Sequence, residues 1–242
     1  MHNVLISFLL LLAYSFSAQA QTFQPELEVQ PHSKGVFVHI SYQLYGGTPF
    51  PSNGLIVVGD TSVLLIDTPW DSLQSEQLVQ WVANEIKKPI GYCVVTHSHA
   101  DRTAGYQVMQ RHGIPLVFSQ ETAALSQAQG RRLQGIAHER DTTLAMAGLN
   151  AEIFFPGRGH TADNQVVWLP AQQLLFGGCL VKSKEATSMG NVADADLAAW
   201  PTTIRQLYTK YPRLRYVVPG HQQWGDIQLL MHTLELLKKH TP

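Results

Sequence analysis

The sequence predicts an α/β domain, on three observations. Short runs of apolar and β-branched residues alternate with stretches whose apolar residues recur at helical spacing. The runs fall into two successive strand-rich halves, each followed by helices. No linker divides the halves, and no sequence repeat relates them. Two sheets packed face to face with helices outside would satisfy that order. So would other layered α/β arrangements, since every sheet face and helix stripe must be buried against something.

Residues 36–41, 55–58 and 63–67 read as strands. Between the first two lies Gly46-Gly47-Thr48-Pro49-Phe50-Pro51-Ser52-Asn53, a segment of turn-forming residues expected to be a loop. Asp71 or Ser72 opens a helix whose apolar positions are Leu78, Val79, Trp81, Val82 and Ile86, and Lys88-Pro89 closes it. Residues 92–96 form a strand, 106–111 a short helix ended by Gly113, 116–118 a strand and 122–129 a helix. After a polar stretch, 130–141, strands follow at 149–155, 165–169 and 174–177. A helical passage from Asp194 or Asp196 through Trp200 leads into a helix with Pro201 in its first turn, running to Tyr211. Residues 216–218 make a strand, and 227–240 a final amphipathic helix.

The 242 residues are 45% apolar and 14% charged, a globular composition. With a formal net charge of −1 and no Lys/Arg block, the chain lacks the basic stripe that nucleic acid requires. Residues 4–13 are almost wholly apolar, and Ala18-Gln19-Ala20 has the small-x-small pattern of a signal-peptidase site. That run is short for a membrane span. Met1-His2-Asn3 departs from the usual pattern in carrying no Lys or Arg. Residues 1–20 are read as a signal peptide, with the mature chain starting near Gln21 in the periplasm and keeping no stable membrane span. Two cysteines, Cys93 and Cys179, are too few for a disulfide framework. An exported protein that keeps a free thiol usually has a use for it, and metal ligation protects a thiolate from oxidation.

The sharpest local signal is His97-Ser98-His99-Ala100-Asp101, directly after the strand at 92–96. In extended chain His97 and His99 point the same way, offering two imidazoles to one ion and the Asp101 carboxylate to a neighbour. Alone, such a string also arises by accident in polar loops. Three further residues strengthen it. His160 lies in Pro156-Gly157-Arg158-Gly159-His160-Thr161 between two strands, Cys179 follows Gly177-Gly178, and His221 follows Pro219-Gly220. Each sits just past a strand, in a loop shaped by Gly or Pro, where rigid scaffolds usually mount chemistry. Imidazole, carboxylate and thiolate together suit zinc better than magnesium or calcium.

These motifs, in this order, resemble the metallo-β-lactamases, specifically their two-zinc subclass with a cysteine ligand. The match runs from Pro51-Ser52-Asn53-Gly54 to Pro219-Gly220-His221. It includes Leu65-Ile66-Asp67-Thr68-Pro69-Trp70, the string at 97–101, Gly159-His160-Thr161 with Asp163-Asn164-Gln165, Gly177-Gly178-Cys179 through Lys182-Ser183, and Gly190-Asn191 with Asp194-Ala195-Asp196. The resemblance implies a four-layer αββα sandwich over residues 21–242 and two Zn²⁺ per chain. It implies one zinc on His97, His99 and His160 and a second on Asp101, Cys179 and His221. It further implies hydrolysis of β-lactams, carbapenems included, by a hydroxide that Asp101 helps to orient, with consequent antibiotic resistance. Lys182 would meet the substrate carboxylate and Asn191 the lactam carbonyl. A small-molecule substrate and a monomer are the expected partners and state.

Thiolester hydrolases, lactonases and RNA-processing nucleases of the same superfamily typically read H-x-H-x-D-H, with a bridging Asp at the later position. This chain has Arg102 after Asp101, and Cys179 where that Asp would be. His97 likewise excludes the subclass with Asn at that place. Ala104-Gly105 stands where the subclass often has Gly-Gly, and the segment at 46–51 offers Phe50 as its main apolar group. Both bear on substrate range. His39, His112, His138, His232 and His240 read as surface or structural, and Cys93, Trp70, Trp81, Trp168 and Trp200 as core. Asp67 reads as a turn residue able to support the metal site. Arg102 is either exposed or a partner of Asp101 and the thiolate.

Overall fold

The computed structural model describes residues 26–146 and 148–240. The signal-peptide reading lies outside them. One sheet has seven strands in the order β1 (Glu28–Ser33), β2 (Val36–Tyr45), β3 (Thr48–Val58), β4 (Val63–Ile66), β5 (Ile90–Val94), β6 (Leu116–Ser119) and β7 (Gly135–His138). Strands β1 to β4 pair antiparallel, and β4 to β7 pair parallel. Parallel neighbours need crossovers. These are α1 (Ser72–Trp81) with a π-helical turn at Val82–Ile86, then α2 (Ala100–Thr103) and α3 (Tyr106–Arg111), then α4 (Gln120–Ala128). The second sheet has five strands: β8 (Thr142–Met146), β9 (Leu149–Phe154), β10 (Val166–Leu169), β11 (Leu174–Gly178) and β12 (Tyr216–Pro219), adjacent in chain order. Helices α5 (Trp200–Lys210) and α6 (Gln228–His240) complete the fold.

Three buried clusters define four layers. Between the sheets, Val38, Leu55, Leu64, Ile66 and Val94 meet Ile153, Val167, Leu169, Phe176 and Val218. Behind the first sheet, Leu65, Cys93 and Leu116 pack on Leu78, Val108 and Met109 of its helices. Behind the second, Leu175 and Val217 pack on Trp200, Ile204 and Leu230. Each fully buried side chain of this size is worth ~1.5–3 kcal/mol relative to exposure, so the three seams supply the main driving force. The architecture is the αββα sandwich.

The strands absent from the sequence reading are β1, β7 and β8, and all three are sheet edges. An edge strand has one neighbour and a solvated face, so it carries little apolar periodicity. β7, for example, is almost wholly exposed. The segment at 46–53 is strand rather than loop: Gly46-Gly47 makes a two-residue turn, and β2 and β3 pair from Tyr45↔Thr48 onward. Pro49 and Pro51 are tolerated because β4 pairs only from Leu55. Their missing N–H groups fall on the side where Asn53 N reaches out of the sheet to Gly220 O at 2.8 Å. No helix spans 194–199. These residues form turns, and Asp196 Oδ1 accepts from Ala199 N at 2.9 Å to start α5 at Trp200.

Candidate metal centre

Strands β4, β5, β11 and β12 end on one rim, and the loops leaving them carry the chemistry. β4 delivers Asp67, β5 leads to His97 and His99, β11 to Cys179 and β12 to His221, while His160 comes from the β9–β10 connection. The structure brings all six sequence-predicted ligand residues together.

His97, His99 and His160 form a triangle, with ring centroids 4.9, 5.0 and 5.0 Å apart and planes crossing at 74–86°. His160 Nε2 lies 3.2 Å from His99 Nδ1. His97 Nε2 is buried and has no hydrogen-bond partner. Asp194 Oδ2 accepts from His99 Nε2 at 3.0 Å, which leaves the His99 Nδ1 lone pair facing the triangle. Burial holds the His97 and His160 pKa values well below the ordinary imidazole value. Both are therefore neutral donors at pH 7, the state a metal requires.

Asp101, Cys179 and His221 form a second set. Cys179 Sγ lies 3.2 Å from His221 Nε2 and 3.3 Å from Asp101 Oδ2, and the last two atoms are 3.3 Å apart. Donors bonded to one zinc at ~2.0–2.3 Å and tetrahedral angles lie roughly 3.3–3.6 Å from each other. The triangle matches that spacing to within a few tenths of an ångström. Burial opposes charge on Asp101, but Arg102 and His221 outweigh it and hold the carboxyl well below its usual range. Burial also lowers the His221 pKa, while Cys179 and Asp101 overcome it and carry the imidazole up to about 9. His221 Nδ1 donates to Pro51 O at 2.7 Å, which fixes the ring from β3.

Arg102 settles the alternatives left by its position in the sequence. It is fully buried. Nη2 reaches Cys179 Sγ at 3.0 Å, Asp101 Oδ2 at 3.0 Å and Gly220 O at 2.8 Å, and Nη1 reaches Asn53 O at 2.5 Å and Asp67 Oδ2 at 3.3 Å. Asp67 in turn accepts from Thr96 N and Oγ1 at 2.8 and 2.9 Å, bracing the residue before His97. Burial raises the Asp67 pKa to about 6 despite Arg102. Gly220 permits the close packing, since a Cβ there would sit 2.6 Å from Cys179 Sγ and 2.7 Å from Arg102 Nη2.

The two ligand sets border a cavity of about 420 Å³. Lys182 and Asn191 both line it. Lys182 Nζ rests over the Trp200 ring at 5.4 Å, and burial lowers its pKa. Asn191 shapes a turn as well, its Oδ1 accepting from Ala193 N at 3.1 Å. Trp70 is a cavity wall rather than core, its ring 5.7 Å from His221 and 6.2 Å from Phe50. The strand-end rule that finds the ligands applies to Trp70 too, which follows β4 by a few residues. Arg131 also borders the cavity, and nothing in its local sequence marks it. His39 is buried and structural, with Nε2 3.3 Å from Ile66 O and 3.2 Å from Asp67 O. Both thiols are free, and Cys93 is buried in the core as predicted.

Residues 47–221 match the sequence profile of the Metallo-beta-lactamase superfamily. The chain is 39% identical over 212 residues to the metallo-beta-lactamase type 2 of Bacillus sp. (strain 170), covering 88% of this chain and 82% of that protein. It is 34% identical over 216 residues to that of Bacteroides fragilis, covering 89% and 87%. The solved metallo-beta-lactamase from Pontibacter korlensis superposes with a TM-score of 0.86 at 46% identity, covering 88% of this chain and 99% of that one. By domain profile, by sequence and by fold, the chain belongs to the metallo-β-lactamase family.

Proposed function

We propose that this protein opens the amide bond of β-lactam antibiotics and so confers resistance to them. The observation that carries this reading is that a triangle of three imidazoles and an Asp–Cys–His set both reach one cavity, through His99, His160, Asp101 and His221, and that the cavity also presents Lys182 and Asn191. In this reading His97, His99 and His160 hold one zinc ion and Asp101, Cys179 and His221 hold another. Bound zinc supplies Lewis acidity and a hydroxide near neutrality, because it lowers the pKa of water from ~15.7 to about 7. Asp101 keeps its charge and can accept a hydrogen bond from the attacking water or hydroxide. Asn191 donates Nδ2 to the lactam carbonyl oxygen as negative charge builds on it. Lys182 pairs with the substrate carboxylate. Arg102 offsets the Asp101 and Cys179 charges from behind, and Trp70 and Phe50 cover the site against water.

Carbapenems fall within the proposed range. Residues 1–20 are proposed to direct export to the periplasm, residues 21–242 to act as one monomeric domain. Among the described residues no helix is long and apolar enough to cross a membrane. The test is a chromogenic cephalosporin and a carbapenem, each followed by absorbance with zinc-loaded protein, before and after chelation. Chelator-sensitive turnover is expected. Hydrolysis of a thiolester or lactone without lactam turnover would overturn the proposal.

A further inference from the structure

We propose that Arg131 sets substrate specificity at this site by binding a second substrate carboxylate, one carried on the acyl side chain of the lactam. The inference rests on the β-lactam reading above, in which Lys182 takes the carboxylate on the fused ring.

The backbone of Arg131 is held by the end of α4. Gly130 adopts φ +79°, a left-handed conformation natural to glycine. Gly130 N then donates to Gln127 O at 3.0 Å and Arg131 N to Ser126 O at 2.8 Å. Those two bonds close the helix in a Schellman arrangement and set the direction in which residue 131 leaves it. The side chain is anchored as well. Nη2 donates to Ser98 O at 2.8 Å and contacts Gln129 Oε1, so the guanidinium lies against the loop between His97 and His99.

The charge has no carboxylate in contact with it, and Asp101 acts on it only from a distance. Among the described residues Arg131 belongs to no ion pair, whereas Arg102 and Arg111 each have carboxylate partners. Its Nε is buried and has no hydrogen-bond partner. The acids on the same cavity are already engaged, Asp101 with Arg102 at 3.0 Å and Asp194 with His99 at 3.0 Å. A guanidinium that borders a ligand cavity suits a carboxylate, which accepts charge-assisted N–H bonds from it. Arg131 is tied to the His97–His99 loop, while Lys182 follows Cys179. Both cations border the one cavity, so a lactam bound there can present one carboxylate to each.

Benzylpenicillin and carbenicillin test this directly, since they differ by one carboxylate on the side-chain carbon. Zinc-loaded wild type, Arg131→Ala and Arg131→Lys are compared on both, with rates normalised to zinc content. Arg131→Ala is expected to raise KM for carbenicillin roughly tenfold, the loss of one exposed charge-assisted contact. KM for benzylpenicillin should change by less than about twofold. Arg131→Lys should recover part of the carbenicillin loss, and added salt should weaken wild-type carbenicillin binding selectively. Equal losses on both substrates would reduce Arg131 to a brace for Ser98 and overturn the inference, as would no loss on either. Wild type that hydrolyses no penicillin, cephalosporin or carbapenem would instead overturn the proposed function, whereas turnover of the other lactams with neither penicillin hydrolysed would overturn the inference alone.

Discussion

Replacing Arg102 by Met is the sharpest test of how the metal centre is built. Met keeps much of the stem volume but removes the guanidinium, leaving the His221 imidazole, its pKa raised to about 9, as the cation in contact with Asp101 and Cys179 and leaving Asp67 with none. The five contacts of Arg102 span 2.5–3.3 Å. At ~1.5–3 kcal/mol for each charge-assisted bond, their plain sum would reach the whole stability of a typical domain, ~5–15 kcal/mol. That sum overcounts, because the orphaned acids can take up protons. Burial raises the Asp67 pKa to about 6 even with Arg102 opposing it, so without Arg102 the pKa rises further and the carboxyl takes up a proton near pH 7 at little cost. The applicable figure is the cost of breaking one buried ionic network, about 3–5 kcal/mol. In a domain of this size each kcal/mol moves Tm by ~2–4 °C, so a fall on the order of 10 °C is expected. The measurement is urea and thermal unfolding of zinc-free protein, since bound metal would add its own linkage. The loss should shrink at pH 5, where the orphaned carboxyls take up protons more readily, and Arg102→Lys should lose less than Met. A change under about 1 kcal/mol at pH 7 would refute the hub role.

Cys179→Ser should lose the metal of the Asp–Cys–His set while the three-His set keeps its own; unchanged metal content would sink the ligand assignment. Lys182→Ala should raise KM by roughly tenfold with a smaller effect on kcat, as expected for a charge that binds the ground state. An unaltered KM would remove Lys182 from substrate binding. His39 offers a pH test away from the metal ligands. Burial drops its pKa from 6.5 to about 4, although carbonyls of Ile66 and Asp67 oppose the shift. The unfolded chain therefore binds the proton first as pH falls, and stability is lost through the window from 6.5 toward 4. Between pH 7.5 and 5, zinc-free wild type should lose about 2 kcal/mol more than His39→Gln in urea unfolding. Parallel pH profiles would show that His39 is not buried neutral.

The candidate ligand residues were legible because all but Asp101, which lies in α2, stand in loops that follow strands. Apolar runs reveal the strands, and Gly or Pro at 159, 177, 178, 219 and 220 marks where the chain leaves them. What stayed hidden depends on contacts remote in sequence. The burial of Arg102 is decided by Asn53, Cys179 and Gly220, the last 118 residues away. Trp70 was read as core because its apolar bulk says nothing about which side of a cavity it will wall. Arg131 was missed for a related reason: its place follows from a helix end docking on Ser98, and a lone arginine after a glycine carries no such signal. The edge strands escaped because solvent on one face removes the pattern by which strands are recognised.

The bond from His221 Nδ1 to Pro51 O joins two parts of the molecule that face different demands. The β2–β3 hairpin tip, with Tyr45 and Phe50 exposed, meets whatever ligand arrives, whereas Pro51 at its base orients a ligand imidazole. Variation therefore has a boundary between residues 49 and 50, because the Phe50 ring lies 5.0 Å from that of His221. New tip sequences can be grafted onto 44–49, or arise there under drug selection, without touching that imidazole. A graft that extends further trades a change of appetite for a displaced His221 ring.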